Sequence, residues 1–421
     1  MEDASDLSAL FNAATAALTE AGASGVDKLA PACLHRNVGV ECTRDLASGD
    51  EIARVPLHLC LTSRVEDAPP SMRAALEAVA PADDRSQGAL HLRLCTRLWL
   101  EYLQPSSAPL SSWLPLLEAA ASRRSAASAL RWTEEDLGRC GMLSSVPRYT
   151  ALLLTEFEAL REALCKVADT HAEVCTRVPD SAETEWVHLT CRAHALTVPD
   201  RLSSERNSSV LCLVPLFDMA HTAGNPSQGV LAELVTGTVI VSCKSAMRSG
   251  DQVLCTRQPS PNDELVVTSG FVTADNVNQQ APLSMKFGRL RKAQLDVLKE
   301  LGLERFLRAD EDEQANVQIV LRRCDPFPNV AVVLARIMTG SEASPHLQKR
   351  VSPETSAVDR LWLPALLAAL KSQLQAYPIR EGGKDVKSDA ADVIYDSTRE
   401  VLKASVGQLL EMTRQMTTVG E

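Results

Sequence analysis

Tyrosine is scarce in this chain. There are four, Tyr102, Tyr149, Tyr377 and Tyr395, so no phenol hydroxyl is available anywhere between 149 and 377. Long apolar runs are also missing: no window approaches ~18 uninterrupted apolar residues, which argues against a membrane-spanning helix. There is no basic surplus, since the net charge is −11. Nucleic acid and anionic lipid both want a basic face, so neither is an expected partner.

Twelve cysteines are present, yet no two have CxxC spacing. That removes a zinc ribbon and a thioredoxin-type motif. Several sit in apolar strings, such as Leu59-Cys60-Leu61 and Leu211-Cys212-Leu213, and read as buried free thiols in a reducing compartment. The eight histidines, at 35, 58, 91, 171, 188, 194, 221 and 346, are dispersed. None pairs with another at metal-ligand helix spacing, and no metal is expected. GxSxG, Walker A, HExxH and GxGxxG signatures are all absent, which excludes the enzyme classes that depend on them. The start, MEDASDLSALFNAA, has neither the basic and apolar regions of a secretory signal nor the arginines of a transit peptide, so the cytoplasm or nucleus is the expected location.

What is there is ordinary globular material: 421 residues, 45% hydrophobic and 23% charged. This is enough for a sizeable core and roughly two to three domains. Leu7, Leu10, Phe11, Ala14 and Leu18 share one helical face. Short β-rich pieces follow at 38–44, 51–56 and 59–62, and Pro69-Pro70 and Pro81 break the pattern. From about 86 to 200 the period is helical, with Thr133 read as an N-cap before Glu134-Glu135-Asp136. Strand character returns at 210–217, 230–234, 238–243 and 252–255, with turn signals at Gly237 and Ser249-Gly250-Asp251. After about 285 the pattern reads as helical throughout. No repeat or low-complexity tract interrupts this order.

One stretch stands out. In LVPLFDMAHTAGNP, residues 213–226, an apolar edge stops abruptly at Asp218, His221 and Thr222. Three other short regions look arranged: Arg36-Asn37-Val38-Gly39-Val40, Cys191-Arg192-Ala193-His194, and Asn262-Asp263-Glu264 running on to Ser269-Gly270-Phe271. Read alone, Asp218 is a turn cap, Arg192 a salt-bridged helix arginine and Ser269-Gly270 a turn.

Together with the WLPLLEA and RWTEEDL pieces of the helical stretch, these regions resemble the SET-domain protein methyltransferases. The branch is that of the Rubisco large-subunit lysine methyltransferases and the actin-histidine methyltransferase. The resemblance runs along most of the chain, with the motifs in the family's order. It implies an α+β fold: a β-rich SET domain over 25–284, a helical insert at about 86–185, and an all-helical C-terminal domain over 285–421 that grips a protein substrate. It implies S-adenosylmethionine as cofactor, and a pseudoknot in which one β segment threads a loop made by another, with the residues after Asp218 turned toward the cofactor. The family pattern carries over cofactor contacts to Arg36, Asn37, Gly39, Arg192, Asp218, His221, Thr222, Ser269 and Phe271, and places His194 beside the substrate channel.

The chain departs from that pattern at three points. Asn37 stands where the first glycine of Gly-x-Gly belongs; Asn tolerates unusual backbone angles better than most residues. Asp218-Met219-Ala220-His221-Thr222 lacks the family's asparagine. Arg257 occupies the tyrosine position, twelve residues before Ser269, and a guanidinium is a permanent cation that accepts no hydrogen bond. Two readings stand open. One is methyl transfer to a protein lysine, or a histidine, with an unconventional site. The other is a catalytically inactive pseudo-methyltransferase that binds a protein partner through its C-terminal domain.

Overall fold

The structure is a computed structural model. It describes residues 4–34, 37–125, 132–141, 144–200, 209–222, 229–255, 260–270, 272–273, 276–287, 290–309, 315–325, 328–338, 362–375 and 386–418.

Helix α1 (Ala4–Glu20) opens the chain and buries Leu7, Phe11, Ala14 and Leu18 along one stripe, as their spacing predicts. Strands β1 (Leu29–Leu34) and β2 (Asn37–Cys42) form an antiparallel pair. Next come β3 (Glu51–Pro56) and β4 (Leu61–Thr62). The helical stretch follows: α2 (Pro70–Val79), α3 (Gln87–Leu103), α4 (Ala108–Ser125), α5 (Glu134–Arg139), α6 (Val146–Thr170) and α7 (Ser181–His194). Thr133 does cap α5, its Oγ1 accepting the Asp136 N–H at 3.2 Å. Asp180 caps α7 in the same way, and Glu183 reaches back to the Asp180 N–H at 3.0 Å.

The strands then resume as β5 (Leu196–Pro199), β6 (Ser209–Leu213), β7 (His221–Thr222), β8 (Val230–Val235), β9 (Thr238–Cys243) and β10 (Leu254–Cys255). They build a five-stranded sheet in the order β3-β9-β8-β10-β7 and a three-stranded sheet in the order β4-β6-β5. The β8–β9 hairpin turns on Thr236 and Gly237, at φ 48° and 73°, the left-handed pair that a tight right-twisted hairpin needs.

Helix α8 (Asn262–Ser269) leads to β11 (Gln280–Phe287), α9 (Lys292–Glu300), β12 (Leu307–Ala309) and β13 (Ala315–Arg322). Helices α10 (Asn329–Met338), α11 (Trp362–Gln375) and α12 (Val386–Thr418) complete the chain. The α+β class is what the residues predict. The region after 285 is not purely helical, however: β11, β13 and β12 form an antiparallel sheet. Val317, Ile319 and Leu321 of β13 face inward, whereas Val320 is 46% exposed. That outward valine hides the alternation that would otherwise mark a strand.

Two compact units result. The first comprises Met1–Arg131, Arg148–Pro259 and Glu264–Phe271; the second comprises Trp132–Pro147, Ser260–Asp263 and Val272–Glu421. In the first, sheet residues Ile52, Val55, Val239 and Val241 share one core with Leu98, Leu160 and Leu164 of the helices. In the second, Leu283, Ile319, Leu334, Leu370 and Leu402 are buried together. Nine cysteines, among them Cys60, Cys95, Cys191 and Cys212, are buried free thiols. No helix among the described residues is long and apolar enough to cross a membrane.

Gly229 lets β8 and β10 meet. Its φ is +86°, and a Cβ there would sit 2.2 Å from the Leu254 carbonyl oxygen. Gly229→Ala should cost about 2 kcal/mol or more in urea unfolding, because both the backbone angle and the strand contact oppose it. Gly237→Ala, with nothing within 4 Å, should cost only about 1 kcal/mol. Equal losses at the two positions would contradict this account.

Candidate functional site

The abrupt end of the apolar edge has a structural cause. After β6 the chain reaches Leu216, a fully buried residue at φ 71°. A branched side chain is disfavoured there by about 1–3 kcal/mol, and such positions persist only where the surroundings enforce them. A single 3-10 turn, Phe217–Met219, follows, with the Asp218 N–H bonded to the Val214 carbonyl at 3.0 Å. The chain then enters β7.

A distant segment meets it here. Residues 250–253 run beside β2: the Gly250 N–H reaches the Cys42 carbonyl at 2.8 Å, the Cys42 N–H the Asp251 carbonyl at 2.9 Å, and the Val253 N–H the Val40 carbonyl at 2.7 Å. The next two residues form β10, parallel to β7 with Leu254 opposite His221 and Cys255 opposite Thr222. Cys255 Sγ also donates to the Phe217 carbonyl at 3.5 Å. Strand β2, carrying the buried Gly39, lies against the 217–219 turn.

Asp218 is completely buried at this crossing. Trp113 of α4 donates its Nε1–H to Asp218 Oδ2 at 3.2 Å. The Asp218 carbonyl is hydrogen-bonded to Nδ1 of His194, itself fully buried at the end of α7. A carbonyl only accepts, so Nδ1 of His194 carries the hydrogen and a neutral ring keeps its lone pair on Nε2. His221 has the opposite tautomer. Its Nδ1 accepts from the Gln252 amide at 2.7 Å, which puts the hydrogen of a neutral ring on Nε2.

Arg192 is engaged differently. It lies two residues before His194, about 200° around the helix. Its Nε donates to Glu156 Oε2 of α6 at 2.8 Å, and its Nη2 donates to Oε1 of the same carboxylate. This forked pair neutralises the guanidinium. On the same side of α7, the fully buried His188 has Nε2 3.9 Å from Glu156 Oε2. Burial, then the Arg192 charge, pushes His188 down to about 4, and burial pushes the neighbouring His91 well below the ordinary imidazole range.

Ser269 ends α8 as a buried residue with Oγ 3.4 Å from Thr268 Oγ1, and Gly270 stops the helix at φ 68°. Asn262, at the head of α8, serves loop closure: its Oδ1 accepts the Thr273 N–H at 3.1 Å and the Asn276 amide at 3.0 Å.

Of the residues singled out in the sequence, the structure joins His194 to the Asp218 carbonyl, sets His221 three residues on in β7, and lays β2, the strand of Gly39, against the 217–219 turn. It ties Arg192 to Glu156. Arg36, Arg257 and Phe271 lie outside the described residues, and Asn37 and Thr222 are described by their backbone alone. Trp113 and Glu156 escape sequence reasoning, since each acts through a long-range pairing. The WLP motif was the only pointer to Trp113.

Trp113→Phe preserves the ring packing but removes the donor to a buried carboxylate. It should destabilise the protein by about 1–3 kcal/mol, read as a lower urea midpoint at an unchanged m-value. A loss under about 0.5 kcal/mol would show that the bond carries little.

No protein-family model matches the chain, and no curated protein sequence does. In three dimensions it is similar to the SET domain of LSMT bound to lysine and AdoHcy, with 18% identity and a TM-score of 0.65 over 98% of this chain and 93% of that one. It is also similar to Rubisco LSMT bound to sinefungin and monomethyllysine, with 17% identity and a TM-score of 0.64 over 97% and 93%. A third likeness is to Rubisco LSMT bound to AdoMet, with 18% identity and a TM-score of 0.63 over 98% and 96%.

Proposed function

Starting from the premise that the chain has a SET-domain methyltransferase-like fold, we propose that it binds S-adenosylmethionine and transfers the methyl group to a lysine side chain of a protein, with histidine as the second target class. The observation that carries this reading is the crossing of β2, the 250–255 segment and β7 at Asp218 and His221. It lies within a fold whose solved relatives were captured with AdoMet, AdoHcy and lysine.

The groups at the crossing suit such a cofactor. They are a carboxylate, main-chain carbonyls and imidazole rings with defined tautomers, and Arg192, on the helix that carries His194, is paired with Glu156. A sulfonium is best accommodated where no unpaired cation competes. Gly39, Asp218, His221, Thr222 and Ser269 are assigned to hold it, with Arg36, Asn37 and Phe271 added by the family pattern. The family pattern adds Arg192, whose Nε and Nη2 are engaged by Glu156. The bound cofactor supplies an electrophilic methyl group. The chain's own part is to desolvate and align a neutral nitrogen. His194, held by its Nδ1 on the Asp218 carbonyl, is the residue that the family pattern puts beside the substrate channel.

A second reading is favoured by one residue. Arg257 stands where a tyrosine hydroxyl would orient the nitrogen, and a fixed cation disfavours both the sulfonium and the methylated cationic product. On that reading the chain is an inactive scaffold that binds a protein partner through the helices of its second unit.

Calorimetry with S-adenosylmethionine separates the readings when followed by transfer of labelled methyl into proteins of a cell extract. The proposed function requires saturable binding and label in protein, with Arg257→Tyr raising the rate on the order of tenfold to a hundredfold. Binding without transfer favours the scaffold. No heat and no thermal shift would remove the enzyme.

A further inference from the structure

Helix α7 also carries groups that the proposed reaction does not use. His91 and Cys95 are four residues apart on α3, and His188 and Cys191 are three apart on α7, so each helix presents its pair on one face. All four are buried. His91 Nε2 lies 2.9 Å from His188 Nδ1, and Cys95 Sγ lies 3.4 Å from His91 Nε2. The three ligand atoms lie within 4.8 Å of one another. Cys191, also buried, is a near neighbour of Cys95 but stands outside that group of three.

These separations are those of a ligand shell. Metal–nitrogen bonds of about 2.0–2.1 Å and metal–sulfur bonds of about 2.3 Å at tetrahedral angles imply edges of about 3.3 Å between nitrogens and about 3.5 Å between nitrogen and sulfur. The two rings need to part by only a few tenths of an ångström. Sulfur and imidazole donors select zinc-like ions over magnesium or calcium. A ligating histidine commonly has a carboxylate behind its other ring nitrogen, and Glu156 Oε2 stands 3.9 Å from His188 Nε2.

We propose that His91, Cys95 and His188, with the Cys191 thiol turning in as the fourth ligand, form a structural site for a divalent cation of the zinc class, clamping α3 to α7. On binding, two S–H bonds give way to two sulfur–metal bonds and two protons leave to solvent. The two thiolates balance the ion's charge, which leaves a neutral centre in the core. The site has no solvent-facing ligand, which suits a structural role. Its effect is to fix the helix whose last residue, His194, holds the Asp218 carbonyl.

The test uses the full chain, stripped with a chelator and titrated with Co²⁺ as an optical probe. One equivalent should bind with tetrahedral d–d absorption and a thiolate-to-cobalt charge-transfer band, both lost when Zn²⁺ is added. Cys95→Ser should diminish the charge-transfer band, and His188→Gln should weaken Co²⁺ binding at least tenfold. With the unsubstituted chain, Zn²⁺ should raise the thermal midpoint. A spectrum without thiolate charge transfer, an unchanged spectrum in folded Cys95→Ser, or no Zn²⁺ shift of the midpoint would overturn the proposal. None of these readouts depends on the methyl donor, so they stand apart from the fate of the proposed function.

Discussion

The site rests on the main chain of residues 250–255. This segment bonds to β2 through Gly250, Asp251 and Val253, and its last two residues insert as β10 between β8 and β7. Strands of two residues such as β7 and β10 have little stability alone. They hold because each backbone group finds a partner on a neighbour that is already anchored, and a buried unpaired amide or carbonyl would cost more than the bond gains. The crossing sets His221 beside Gln252, and Trp113 and His194 add their bonds to Asp218 in the 217–219 turn.

Electrostatics follow from that geometry. A buried carboxylate is costly unless donors satisfy it, and Asp218 receives one from Trp113 across the core. Arg192 and Glu156 neutralise each other on the other side of α7. The same helix thus carries a paired cation on one face and, two residues on, a ring of defined tautomer on another. On the proposed reading, ion-pair neutralisation and a tautomer fixed by a carbonyl suit a positively charged donor. On the same reading, Arg257 at the tyrosine position pulls the other way.

Much of this was legible in the residues. The α1 stripe, the Thr133 cap, the Gly237 turn and the strands beginning near 210, 230 and 238 are local signals, and local signals survive without coordinates. The arginine on α7 read as salt-bridged in isolation, and the structure gives it Glu156. Asp218 read as a turn cap; it does sit in a turn, but its carboxylate serves Trp113 instead. What sequence could not supply were pairings between remote elements: Trp113 with Asp218, Glu156 with Arg192, and His91 with His188. The last leaves no His–His spacing within a helix, because the informative spacings pair a histidine with a cysteine on each helix. The sheet after 285 was hidden by an exposed valine in β13.

The most direct measurement of the central claim is a crystal structure of the chain soaked with S-adenosylhomocysteine. The account predicts β10 paired with β7 and the ligand within about 4 Å of Gly39, Asp218 and His221. Ligand bound elsewhere, or β7 and β10 unpaired with no hollow beside the 217–219 turn, would contradict it.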